Sequence, residues 1–480
     1  MALNSLSFLV QFAILFSTLS VLQVFRKSRI GDEISGIQLA VVLLFSYYFV
    51  LLVSWRFALG LALITLIVYL CGLIAEKNSK APVVGSILLV IILFYFKYAG
   101  FFINEFSTVF GIDSSSIKII LPLGMSFYVF SGISYLVDIY RGEYKSERNI
   151  AHFALFMAFF PKLTAGPIVR YPDFEPQIKK YVGIVPTNVC AGIQIFVMGL
   201  FKKNVLADHL GVFVDYVFRT PMAYSTGTVI LSAVSYSLQI YLDFSGYSDM
   251  AIGLSKILGI DIKKNFNLPY VARGFSDFWN RWHISLSEWL KDYVYIPLGG
   301  NRKGSARTYI NLVIVMLVSG AWHGAGWTFL IWGLLHGIAS CVTRHYYQRN
   351  KVLESAGSHR ASVILKNISE MSLTFIFVTL FWTVFRSESV EKLLIYWRAL
   401  FTIHDGIKQP YSWSFVSIAI VAVSTLAAYL ICKKQKSVLN GFYPIMDLSK
   451  TWSLIVLFTM IGLTVLLGYY GNTAFIYGGF

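Results

Sequence analysis

The chain has 480 residues, of which 56% are hydrophobic and only 13% charged. Soluble domains carry about a quarter charged residues, so this is the composition of a polytopic integral membrane protein, not of a soluble enzyme. The net charge of +16 sits in short loops between apolar runs, which points to positive-inside topology and contact with anionic lipid rather than to nucleic acid.

Apolar runs lie near 3–25, 37–54, 56–75, 81–104, 117–138, 150–160, 187–206, 226–258, 308–343, 369–385, 412–432 and 451–470. A span needs about 20 apolar residues, so these predict an all-α protein with roughly ten to twelve crossings. The first run lacks a basic stretch before it and a small-residue cleavage site, and reads as a retained span, not a signal peptide. No internal repeat is visible, which weighs against a transporter built from paired halves. Cys71, Cys190, Cys341 and Cys432 stand singly, so neither a disulfide framework nor a zinc site is indicated.

The run 226–258 holds Asp243 and Asp249. Acids at membrane depth are costly and are kept for a role; here that is a proton path, a cation, or a partner for Arg281 or a histidine. Residues 278–304, "FWNRWHISLSEWLKDYVYIPLGGNRKG", plot as one amphipathic helix. Trp282, Leu286, Trp289 and Tyr293 form one face, and Arg281, Ser285, Glu288 and Asp292 another. The expectation is a helix at or dipping into the interface, ended by Pro297 and Gly299-Gly300, with His283 between the faces.

Residues 308–343 lie between two basic stretches, one with Arg302, Lys303 and Arg307, the other with Arg344, Arg349, Lys351, Arg360 and Lys366. If both stretches are cytoplasmic, the segment has too few residues for two full crossings and a turn. Short limbs or a re-entrant hairpin follow, turning at "GAWHGAG" (320–326). At 1.5 Å per residue, His323 would then lie roughly 20 Å from the cytoplasmic edge. Irregular backbone at that depth survives only inside protein or along a cavity. A desolvated histidine is neutral near pH 7 and can accept a proton; the plainer reading is a core histidine bonded to a neighbouring helix. Trp322 and Trp327 are the expected walls of the site. His336 follows on the second limb, where Gly333 and Gly337 form a close-packing GxxxG pair. Lys433, Lys434, Lys436 and Lys450 put the next loop in the cytoplasm, so the last span leads outward and "FIYGGF" (475–480) ends outside. Motifs of soluble nucleotide-binding, serine-hydrolase and zinc-protease chemistry are absent.

Six segments together resemble the membrane-bound O-acyltransferases, in particular the branch of bacterial alginate O-acetyltransferases. They are "LPLGMSFYVFSGISYLVDIYRG" (121–142), "FFPKLTAGPIVRY" (159–171), "DFSGYSDMAIG" (243–253), "RWHISLSEWLKDYVYIPLGG" (281–300), "WHGAGWTFLIWGLLHG" (322–337) and "FWTVFRS" (381–387). The resemblance implies a single membrane domain over 1–480. Tilted helices, with re-entrant and interfacial ones among them, would ring a central tunnel and funnel. It implies His323 as the essential histidine and His283 as the second; Trp322, Trp327, His336, Asp243, Asp249 and Arg281, picked out above from the residues themselves, are the candidates to line the path. The donor implied is cytoplasmic acetyl-CoA, with no bound cofactor and no metal.

The tail is similar to an FIYxxF ending found in this branch, in which the tyrosine looks like an acyl relay. Tyr477 is that residue here, and an aromatic interfacial anchor is the alternative. An extracytoplasmic hydrolase-like partner of the SGNH type would pass the acetyl group to a cell-surface polysaccharide. The setting implied is a bacterial inner membrane. The competing readings are a carrier-protein-dependent D-alanyl transferase of the teichoic-acid type and a proton-coupled transporter using Asp243, Asp249 and the histidines.

Overall fold

The computed structural model describes residues 2–26, 31–111, 119–350, 360–409, 411–435, 445–469, 471 and 475. Among these the structure is helical, with one isolated bridge between Tyr224 and Ile407 and no further strand pairing. That is what a bilayer demands, because a helix satisfies its own backbone polar groups without water. Long-range packing divides the chain into two units, the first comprising residues 1–201, 246–264 and 443–466, the second 202–245, 265–442 and 467–480.

The first unit opens with α1 (Leu6–Arg26), α2 (Gly31–Leu51), α3 (Trp55–Ile74) and α4 (Ala81–Phe110), each packed on the next. Their lipid-type residues remain exposed, as at Leu6, Ile14, Leu44 and Ile91. α5 (Met125–Tyr140) starts eight residues later than the apolar run predicts. Pro122 and Gly124 explain this: Gly124 adopts φ +71°, and a Cβ there would come within 2.1 Å of the Leu163 carbonyl oxygen. α6 (Ile150–Ala158) is capped by the Asn149 side chain, which accepts the Ala151 amide at 2.9 Å. The short α7 (Phe160–Leu163) and α8 (Tyr171–Lys179) follow. α9 (Pro186–Phe201) lies against the 246–257 stretch of α11 (Thr226–Ile257) at glycines; a Cβ on Gly199 would meet the Gly246 carbonyl at 2.5 Å. Asp249 is buried in this seam, next to Gly199.

The second unit begins with a π-turn, Lys202–Ala207, leading into α10 (Asp208–Arg219). After α11 come two short helices, α12 (Phe275–Trp279) and α13 (Ile284–Leu290), and a second π-turn, Lys291–Tyr295. α14 (Gly304–His323) and α15 (Trp327–Asn350) form a hairpin, followed by α16 (Arg360–Arg386), α17 (Val390–Phe401) and α18 (Ser412–Gln435). α19 (Thr451–Leu467), which apart from Leu467 belongs to the first unit, is the last helix among the described residues.

Among the described residues, seven helical stretches are long and apolar enough to cross a membrane: within α1, α2, α3 and α4, from Pro186 to Arg219, and within α14 and α16. Residues 412–424 and α19 are shorter apolar helices. α11 and α15 are long enough but are not among the seven; α11 carries Asp243 and Asp249, and α15 carries His336. The protein is a multi-pass membrane protein. The hairpin limbs are not short: they extend to Gly304 and Asn350, taking the arginines at 307, 344 and 349 into helix. His323 therefore ends a limb about 28 Å long, at 1.5 Å per residue, longer than the roughly 20 Å expected, and the turn that follows it falls within 320–326 as the sequence suggests.

Candidate active site

The hairpin is built on glycine. A Cβ on Gly320 would stand 2.3 Å from the Phe329 carbonyl oxygen, and one on Gly333 would stand 2.4 Å from that of Met316. The two backbones touch, as the GxxxG spacing predicts for small residues at a helix contact. α14 stops because Gly324 turns extended, at φ −165° and ψ 158°. The stop leaves His323 as the last helical residue, 2% exposed. Three rings enclose its imidazole: Trp322 at 4.9 Å, Trp332 at 5.1 Å and Phe385 at 5.3 Å, centroid to centroid.

The sequence reading placed Trp327 in this wall; it is instead 55% exposed at the start of α15, and Trp332 is the second tryptophan ring against His323. One and a half turns separate the two along the helix, so a single turn cannot present both to one point. Phe385 went unnoticed because an apolar residue inside "FWTVFRS" carries no signal of its own.

His283 is fully buried. Its ring stands 4.7 Å from Phe244 and 5.7 Å from Trp322, so the Trp322 indole contacts both histidines. The predicted continuous helix from 278 is broken here. His283 has φ +43°, a left-handed conformation, and α13 starts only at Ile284. The cause is pairing with an upstream loop: the Asn267 amide donates to the Arg281 carbonyl at 2.9 Å, and the Ile284 amide to that of Asn265 at 2.9 Å. Asn265 also accepts the Ser285 hydroxyl at 2.6 Å. This asparagine, absent from the sequence reading, fixes the histidine's backbone. Burial holds the His283 imidazole well below its usual range, at about 3, so the ring is neutral.

His336 is fully buried in an aromatic box of Trp332, Trp279, Phe381 and Phe275, at 4.7–5.4 Å. Neither of its ring nitrogens has a hydrogen-bond partner among the described residues. Arg281 does not meet Asp243; its Nε donates to Asp277 at 2.8 Å. The partner of Asp243 is Lys203, at 2.5 Å, which also pairs with Asp208 at 2.7 Å; all three side chains are buried. Asp249 lies in the first unit, in the α9–α11 seam. Tyr477 lies outside the described residues.

Two cavities flank the His323 cluster. One, of about 380 Å³, is lined by Trp279, Asn280, Glu288, Lys291, Ser319 and Arg344. It reaches Ser319, one turn before His323 on α14, and Trp279, whose ring packs on Trp332 at 5.7 Å. The other, of about 530 Å³, is lined by Lys203, Asp215, Asp243, Gly326, Phe385 and Arg386. Phe385 and the turn after His323 form its inner wall. The His323 imidazole thus has an indole beside it and lies near two pockets, one with Lys291, Arg344 and Glu288 and the other with Lys203, Asp215, Asp243 and Arg386. Among the described residues no group of three or more His, Cys, Asp and Glu is placed to hold a metal.

Residues 145–383 match the MBOAT family, membrane-bound O-acyltransferases. The chain is 37% identical over 412 residues to a probable alginate O-acetylase AlgI of Pseudomonas aeruginosa, covering 83% of this chain and 76% of that one. It is 40% identical over 340 residues to a peptidoglycan O-acetyltransferase of Helicobacter pylori, 65% of this chain and 63% of the relative. A teichoic acid D-alanyltransferase of Bacillus subtilis is 28% identical over 281 residues, 55% and 69% of the two chains. The chain thus spans between about two thirds and three quarters of the length of these relatives.

Proposed function

Because the chain belongs to the membrane-bound O-acyltransferase family, we propose that it moves an acetyl group from cytoplasmic acetyl-CoA across the membrane for O-acetylation of an extracytoplasmic polysaccharide. The observation that carries this is that two cavities come near His323, one at Ser319 a turn before it and the other at Gly326 and Phe385, so that donor and acceptor would meet at one base without either crossing. The acetylases and the peptidoglycan enzyme among the relatives favour an acetyl donor. Lys291 and Arg344 in the smaller cavity suit a phosphate-bearing thioester.

A thioester is already activated, so the protein has to orient, exclude water and manage one proton. The acceptor hydroxyl oxygen attacks the thioester carbonyl while neutral His323 takes its proton. The tetrahedral intermediate puts negative charge on oxygen, and the indole N–H of Trp322, whose ring packs on His323, would steady it. Collapse breaks the C–S bond, and the imidazolium returns the proton to the leaving thiolate. The ester and free coenzyme A thiol result. His283 holds the far side of Trp322.

In this reading Tyr477 is the first acceptor. Its acetyl ester would be handed to an extracytoplasmic SGNH-hydrolase-like partner and on to polymer, in a bacterial inner membrane with the C-terminus outside. The D-alanyl reading rests on the Bacillus subtilis relative and takes a carrier-protein donor.

Mass spectrometry of the purified chain incubated with acetyl-CoA tests the proposal, with wild type beside His323→Ala and Tyr477→Phe. The expected result is an acetyl adduct on Tyr477 that both substitutions remove, with thiol release falling about 10²–10⁴-fold in His323→Ala. Thiol release without an adduct removes the relay and keeps the transferase. A folded wild-type chain that releases no thiol overturns the acetyl-CoA donor.

A further inference from the structure

The π-turn Lys202–Ala207 has no place in the chemistry above, yet it meets the end of the chain at three points. A π-turn carries one residue more than an α-turn and shifts the backbone carbonyls out of the regular ladder. Here the Asn204 carbonyl accepts the Tyr469 amide at 2.8 Å. His209, just beyond the turn, has its Nε2 2.9 Å from the Leu467 carbonyl, and its ring lies 5.6 Å from Tyr469. That imidazole is itself stacked flat on Trp413 at 4.2 Å, which fixes its direction. The third point is Lys203, whose Nζ sits 4.3 Å from the centre of the Phe475 ring.

Lys203 is suited to this contact. Its ammonium is buried and held by Asp208 and Asp243, at 2.7 and 2.5 Å, so it stays charged and cannot swing away. A desolvated, fixed cation attracts an aromatic face more strongly than a hydrated one. Phe475 and Lys203 both line the 530 Å³ cavity whose inner wall is Phe385, the ring beside His323.

We propose that the Lys202–Ala207 turn is a built seat for the chain's own C-terminal segment, with Lys203 as a positioning residue for acyl transfer. It pins Phe475 by a cation–π contact and so holds this residue at the cavity lined by Phe385, the ring beside His323. The role in transfer rests on the relay reading above; the seat itself does not.

The test is carboxypeptidase digestion of the full-length protein in detergent, followed by intact mass, on wild type, Phe475→Trp, Phe475→Leu and Lys203→Met. A cation–π seat requires an aromatic face, whereas a greasy anchor accepts leucine. Wild type and Phe475→Trp are expected to resist digestion equally. Phe475→Leu and Lys203→Met are expected to be trimmed toward Tyr469 about tenfold faster. Lys203→Met leaves two carboxylates without a cation and risks misfolding, so Phe475→Leu decides. A leucine variant as resistant as wild type overturns the seat. The same samples, given acetyl-CoA, are expected to show the acetyl adduct reduced about tenfold in Phe475→Leu and kept in Phe475→Trp. A resistant wild-type tail that never acquires acetyl overturns the positioning role and the relay, and leaves the seat standing.

Discussion

At the scale of single residues, the sequence exposed histidines by their cost and hid the side chains that serve them. His323 and His283 are legible because a titratable group within an apolar run needs a reason. Lys203 was passed over as one more loop charge at the end of an apolar run, and only the fold brings Asp208 and Asp243 to it. The three carry two negative charges and one positive, so their substitutions are not equivalent. Asp243→Asn leaves a neutral Lys203–Asp208 pair and is expected to change stability by less than about 1 kcal/mol. Lys203→Met strands two buried carboxylates and is expected to cost about 3–5 kcal/mol; thermal unfolding in detergent checks the asymmetry. His336 offers a second case. Its unpartnered nitrogens are a desolvation cost of about 1–3 kcal/mol, so His336→Phe, which fits the aromatic box, is expected to leave the unfolding temperature equal or higher. Acetyl transfer measured on the same variant shows whether the box is core or substrate path: full activity is the result expected of core.

At the scale of elements, the hairpin was readable and the interfacial helix was not. Gly333 and Gly337 announce close packing through spacing alone, and Gly320 announces a turn. Nothing local announces that His283 turns left-handed, because the cause, the 265–267 loop, lies more than a dozen residues upstream in sequence. The helix pattern through 278–293 is real but interrupted, and its two pieces bury Trp282, Leu286 and Trp289 without sharing one axis. The hairpin makes the clearer prediction. Gly333→Ala drives a Cβ into the Met316 carbonyl and is expected to destabilise the protein by about 1–3 kcal/mol, with loss of acetylation following displacement of His323. Gly462→Ala on α19, where a Cβ meets nothing within 4 Å, serves as the comparison and is expected to be silent in unfolding and activity alike.

For the whole molecule, apolarity located most of the long helices and passed over two. α11 and α15 are less apolar than the plain spans, and Asp243 and His336 are among the polar residues that make them so. In the proposed function these costly residues are the reason the two helices depart from plain spans. The arginines and lysines at the junction of α15 and α16 and after α18 set the expected orientation. An epitope fused after Phe480 is expected to react with membrane-impermeant reagents on intact spheroplasts, and a cysteine placed at Lys303 only after lysis; the opposite pattern would invert the donor and acceptor sides.

The two π-turns, Lys202–Ala207 and Lys291–Tyr295, share a property that charge and packing do not capture. Each supplies wall residues to one of the two cavities, Lys203 to the larger and Lys291 and Tyr295 to the smaller. A π-turn differs from regular helix by a single amino acid, so each cavity depends on a chain one residue longer than its helices need. Removing one residue from either turn would yield a more regular helix and rotate everything beyond it by about 100°. The shortened protein would gain helical order and lose its cavity wall, so the spare residue ties chain length itself to function.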